Sequence, residues 1–261
     1  MSNKKETSWG GVAEWYDQMI ETDPDSYQAK VILPNIIRIL DPKPGMTVLD
    51  IACGQGYFAR AFHGAGARVI GSDISRELIE IARKNSPAEI SFHDAPADKL
   101  TFAADASVDA AVIILAIQNI EKMSETFAEA MRVLKSDSRL ILVINHPTFR
   151  IPGRSSWGWD EKAGEAGAGT QYRRIDGYMS DIQNKVDMNP GESDVAAKKF
   201  TFSFHRPLQS YFKALNKAGF AVTRLEEWIS HKKSQKGPRS AEEDRIRKEI
   251  PMFLMLEARK M

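Results

Sequence analysis

The run Val48-Leu49-Asp50-Ile51-Ala52-Cys53-Gly54-Gln55-Gly56-Tyr57 sets a carboxylate near the tip of an apolar stretch and follows it with a Gly-x-Gly turn. Glycine at 54 and 56 removes two Cβ atoms where the backbone must turn sharply and where a ligand can lie against it. Ala59 completes a G-x-G-x-x-A pattern of the kind that holds a pyrophosphate at a helix start. Asp50 argues against a pyrophosphate, which it would meet as a like charge, and suits a ligand bearing an ammonium group. Asp73 and Asp94 end two further strand-like runs. Of the five histidines, His146 lies in Ile144-Asn145-His146-Pro147 and His205 in Phe204-His205-Arg206-Pro207, each at the end of such a run. Their near-neutral pKa suits proton transfer.

The elements that must position these residues alternate. Strands are expected at 47–52, 68–72, 90–94, 108–114 and 140–145, with helices at 57–65, 76–84 and 124–134 between them. Strand–helix alternation is the pattern of a parallel sheet with right-handed crossovers. Before it, residues 8–23 have helical apolar spacing, and a helix at 29–40 ends at Asp41-Pro42-Lys43-Pro44-Gly45. After it, 200–205 alternates as a strand, 208–217 reads as a helix and 220–229 as a strand. A polar stretch at 231–247 precedes a last strand at 251–256.

Val-Leu-Asp-Ile-Ala-Cys-Gly-Gln-Gly, with Asp73 closing the next strand, resembles the first two motifs of class I S-adenosylmethionine (SAM)-dependent methyltransferases. The resemblance covers about residues 45–145 and returns from about 200. It implies an α/β fold: a doubly wound, seven-stranded, mostly parallel sheet whose last strand is antiparallel, here with an inserted cap after the fifth strand. It also implies a site for SAM, with S-adenosylhomocysteine as product. Asp50 is expected to meet the methionine ammonium, with Ala52, Gly54 and Gly56 under the ligand. Asp73 is expected to hold the ribose, Ile74 one face of the adenine, and the Asp94-Ala95 pair the adenine amino group. Leu115 and Gln118 would close the site near the sulfonium, and Tyr16 resembles part of an N-terminal cover. Methyl transfer to oxygen or carbon would use His146 or His205 as general base, the second because Phe-His-Arg-Pro recurs in the family beside the substrate.

Residues 147–199 are too long for a plain connection and too aromatic for a linker, so they read as the cap. Their Gly/Ala-rich middle at 163–169 suggests a lid that orders on ligand binding. Trp157, Trp159, Tyr172, Arg173 and Tyr178 offer apolar faces and charge suited to a planar or amphipathic small molecule with an acidic group. The same residue types can stack RNA bases and hold phosphates, so an RNA methyltransferase is an alternative. A formal net charge of +1 and no appended RNA-binding domain disfavour nucleic acid. A NAD-dependent oxidoreductase and an inactive SAM-binding protein are further alternatives. A single cysteine excludes an internal disulfide, and no H-x-x-x-H or cysteine cluster points to a metal. No apolar run of about 18 residues and no signal-peptide pattern appear, so the expected compartment is the cytoplasm. The whole chain reads as one domain: an N-terminal cover to 40, a SAM-binding core at 41–146, the cap at 147–199 and the rest of the core at 200–261. Its oligomeric state and methyl acceptor are not encoded in any motif.

Overall fold

The computed structural model describes residues 9–12, 23–163, 169–188, 198 and 200–261. The strands are β1 (Thr47–Ile51), β2 (Arg68–Asp73), β3 (Ser91–Asp94), β4 (Val108–Ile114), β5 (Leu134–Asn145), β6 (Ser155–Asp160), β7 (Thr170–Ile175), β8 (Ile182–Asp187), β9 (Phe200–His205), β10 (Phe220–Trp228) and β11 (Phe253–Lys260). The α-helices are α1 (Leu33–Leu40), α2 (Tyr57–Gly64), α3 (Arg76–Asn85), α4 (Met123–Val133), α5 (Leu208–Lys217) and α6 (Ser240–Glu249). Seven strands form one sheet in the order β10-β11-β5-β4-β1-β2-β3. The pairs β3–β2, β2–β1, β1–β4 and β4–β5 are parallel, and β11 runs antiparallel to both β5 and β10. This is the expected doubly wound sheet with an antiparallel seventh strand.

The central strands are apolar because helices cover both faces. Val48, Leu49 and Ile51 of β1 and Val112 and Ile113 of β4 are fully buried. One layer joins β1, β2 and β4 to α1 and α2 through Ile36, Leu40, Phe62 and Val69. The other joins β4, β5 and β11 to α4 and α5 through Phe127, Tyr211 and Leu215. The chain leaves β1 toward β3 on one side and resumes at β4 on the other, so the order reverses between β1 and β4. The carboxyl ends of adjacent strands at such a switch point open a crevice for a ligand.

Several elements depart from the sequence reading. Residue 200–205 is a strand but does not join the main sheet; β9 pairs antiparallel with β8, from Ile182↔His205 to Asp187↔Phe200. The second cap hairpin therefore crosses the expected boundary at 199. The cap also contains the hairpin β6–β7, with Trp157 opposite Arg173. The polar stretch 231–247 contains the start of α6, which runs on to Glu249 and whose only buried residue is Ile246. Tyr16 and 164–168, the middle of the expected lid, lie outside the described residues.

Candidate functional site

The crevice at the switch point is a cleft of about 130 Å³. Six of the expected cofactor residues meet in its wall: Asp50, Ala52, Gly54, Asp73, Ile74 and Leu115. β1 and β2 bring the two acids together, with Asp50 beside Gly71 and Ile51 beside Ser72 in register. Asp50 is 1% exposed, and its Oδ2 has no hydrogen-bond partner. Burial, then the charge of Asp73, pushes its pKa up to about 8. Buried acids are normally hydrogen-bonded, so an orphaned carboxylate oxygen in a cleft wall marks a place for a donor or a cation.

Asp73 is held differently. Its Oδ2 accepts the Gly54 N–H (3.0 Å) and its Oδ1 the Ser75 N–H (2.9 Å). With the Ile74 N–H as a third backbone donor, the carboxylate still has lone-pair capacity for a ligand hydroxyl. Burial raises the Asp73 pKa, and these backbone donors oppose the rise. Ile74, next in the chain, is 54% exposed, an unusual position for isoleucine that leaves its side chain free to cover a flat ring.

Two non-glycine residues of the cleft adopt left-handed backbone, Ala52 (φ 59) and Leu115 (φ 53). They follow β1 and β4 and turn the chain away from the sheet on either side of the cleft. Strained backbone of this kind concentrates at ligand sites. The Gln118 amide fixes the second turn by donating to the Leu115 carbonyl (2.7 Å), while its Oε1 is buried without a partner. Gln118 thus stands behind the wall that Leu115 forms. Gly56 is also behind it: at φ 85 it begins α2, and a Cβ there would come within 2.9 Å of the Phe92 ring. Ala95 is buried and donates to the Asp73 carbonyl (2.9 Å), while Asp94 pairs with Asp73 in register; neither lines the cleft.

The cleft contains residues that the sequence reading passed over. Trp9 lines it from the N-terminal segment expected to supply Tyr16. Tyr57 and Phe58 line it from the first turn of α2, a position that follows directly from the Gly-x-Gly turn. Gln55 adds a buried Nε2 without a partner. Asn119 reaches the cleft after β4 and donates to the Phe202 carbonyl (3.2 Å), tying this wall to the cap. Arg206 secures the same wall by donating to the carbonyls of Ile120 (2.9 Å) and Glu121 (2.8 Å). No apolar or charge pattern in the sequence marks an arginine whose hydrogen bonds go to distant backbone carbonyls.

The two histidines sit at the expected strand ends but outside the cleft wall. His146 Nδ1 accepts the Thr148 N–H (3.2 Å), so its Nε2 carries the proton and donates to Glu227 Oε1 (2.7 Å). Burial lowers its pKa against the opposing pull of Glu227, in keeping with a neutral ring. Neither nitrogen is open to a substrate in this arrangement. His205 Nε2 donates to the Tyr178 carbonyl (2.9 Å), which leaves the lone pair on Nδ1.

The expected substrate residues are not in the cleft wall either. Tyr178 Oη accepts the Leu208 N–H (3.1 Å) and so pins the cap to α5. Arg173 donates to the Phe149 carbonyl (2.9 Å) and to Ser155 Oγ (2.7 Å), under the Trp157 ring. Trp159 stacks on Arg239 just before α6. Tyr172 lies across Gly158, where a Cβ would meet its ring at 2.4 Å. These aromatics build the cap itself. Among the described residues no cluster of three or more His, Cys, Asp or Glu could hold a metal ion.

The family model for a methyltransferase domain matches residues 49–142, which span the cleft turns, Asp50, Asp73 and Leu115. The crystal structure of a SAM-dependent methyltransferase from Mesorhizobium loti superposes on 87% of this chain and 96% of its own, with TM-score 0.66 and 26% identity. The chain carries a class I SAM-dependent methyltransferase domain. The family and fold of this domain imply SAM as cofactor, and the cleft fits it: a buried orphan carboxylate for an ammonium, an acid with spare lone pairs for a ribose and an exposed Ile74 for a base. Demethylmenaquinone methyltransferases of Renibacterium salmoninarum and Paenarthrobacter aurescens are 34% and 31% identical over 41% and 44% of this chain. Those matches cover 44% and 46% of the relatives, so the chain spans under half of the length of each.

Proposed function

We propose that this methyltransferase domain transfers a methyl group from SAM to a small molecule, within the same broad class as the quinone-modifying relatives. One observation carries the reading: the orphaned Asp50 oxygen shares a cleft with Asp73 between two left-handed turns. When bound, SAM supplies an electrophilic methyl group on a sulfonium. Asp50 would take its ammonium, the Gln55 amide its carboxylate, Asp73 its ribose hydroxyls and Ile74 one face of its adenine. Leu115 and Asn119 form the wall toward β5 and the cap. In-line displacement asks the protein chiefly to align the acceptor and keep water out.

An acceptor hydroxyl or carbon acid must also lose a proton. With both nitrogens engaged, His146 serves to hold Glu227, and His205 is the histidine with a lone pair for the task. Incubation with methyl-labelled SAM and a cell extract split into small molecules and RNA tests the reading. Label is expected in the small-molecule fraction; label in RNA alone would overturn it.

A further inference from the structure

Arg150 lies in the turn after β5, where its backbone N–H donates to the His146 carbonyl (2.9 Å). The carboxyl edge of the sheet therefore fixes its start, on the β5 side of the cofactor cleft. Its side chain is exposed, and its guanidinium has no hydrogen bond or ion pair among the described residues. Its charged neighbours are otherwise served. Arg154 pairs with Asp176 (3.3 Å), Lys232 pairs with Asp25, and Arg173 is bound to Phe149 and Ser155. Arg150 and Arg173 stand close enough for the charge of Arg150 to lower the Arg173 pKa, after burial as the larger cause. Both guanidiniums stay charged near neutral pH. Two neighbouring cations with no carboxylate paired to either form a positive field that the fold does not balance.

The surroundings of that field are aromatic. The Phe149 ring lies 4.7 Å from that of His146, and Tyr27, whose hydroxyl meets Ser230 Oγ at 3.2 Å, stands close enough to act on the Arg150 charge. We propose that Arg150 binds the carboxylate of an aromatic methyl acceptor, with Arg173 strengthening the local positive field. A guanidinium fork matches a planar carboxylate in two parallel hydrogen bonds. This assignment rests on the methyl-transfer reading and narrows its substrate to acidic aromatics. It makes Arg150 a specificity-determining residue, separate from the cofactor cleft.

Calorimetry on protein saturated with S-adenosylhomocysteine tests it, with benzoate, 2-naphthoate and their amides as probes. The carboxylates are expected to bind the wild type more tightly than the amides. Arg150→Met is expected to weaken them by about ten- to a hundredfold, the scale of a hydrogen bond to a charged group. Arg150→Lys should recover part of the loss, and S-adenosylhomocysteine affinity should match the wild type in both variants, which reports an intact fold. Carboxylates binding the wild type no better than amides, absence of binding included, would overturn the assignment; so would undiminished binding to Arg150→Met. Failure of S-adenosylhomocysteine itself to bind would instead contradict the methyl-transfer reading.

Discussion

Asp50 is the residue on which the site turns. Its folded pKa of about 8 lies above the ordinary 3.8, so between those values the folded chain holds a proton that the unfolded chain has released. The ligand-free protein should therefore lose stability as pH rises through that window, by at most about 1.4 kcal/mol per unit. Asp50→Asn, an isostere of the protonated side chain, should flatten that slope in urea unfolding series at several pH values; an unchanged slope would assign it elsewhere. An ammonium ligand favours the carboxylate, so SAM binding near pH 6.5 should release a proton. Calorimetry in buffers of different ionisation enthalpy reads that release directly. Asp73→Ala should weaken SAM by about 1.5–3 kcal/mol, as expected for lost hydrogen bonds to a charged group; unchanged affinity would remove Asp73 from the site. If His205 accepts the acceptor's proton, His205→Ala should cost roughly 10²–10⁴ in turnover. SAM affinity would be unaffected and the loss would shrink as pH rises, whereas near-normal turnover at every pH would leave alignment as the whole mechanism.

The elements divide by how local their cause is. β1, β2 and β4 were legible because burial on both faces demands continuous apolar runs, and the turn after β1 because glycine spacing reports backbone shape. The glycine spacing points to Gly56 as a cradle for ligand, but its neighbour in the fold is Phe92. Gly56→Ala should accordingly destabilise the fold by about 1–2 kcal/mol for the left-handed backbone alone, before the Phe92 collision is counted. Thermal unfolding of that variant checks it. Helix α6 was illegible because it has almost no apolar face; ion pairs such as Arg245 with Glu242 mark it instead, and Glu242 accepts the Gln171 N–H to meet β7. β9 showed its strand alternation but not its partner, since β8 lies elsewhere in the chain, ending at Asp187. Arg206 was silent for the same reason: its carbonyl partners lie about 85 residues earlier. Arg206→Met should loosen the wall at 117–121, costing about 1.5–3 kcal/mol in urea unfolding and weakening SAM. A variant as stable as the parent would show that the wall holds without it.

At the scale of the whole molecule, the sheet order creates one crevice, and the chain's chemistry gathers beside it. The parallel strands end together, so two acids far apart in a sequence of alternating elements meet in one cleft. The aromatic residues of 147–199 gave the cap but not its interior, because stacking on Arg173, Arg239 and glycines is long-range. A net charge of +1 gives the molecule no general attraction for phosphate backbones. A gel shift with RNA should show no salt-sensitive complex. No helix among the described residues is long and apolar enough to cross a membrane. The central claim is that the crevice is built for an ammonium and a ribose. Calorimetry of the purified protein with SAM, S-adenosylhomocysteine and NAD tests it most directly: the first two should bind and NAD should not, whereas binding of NAD with no response to SAM would contradict it.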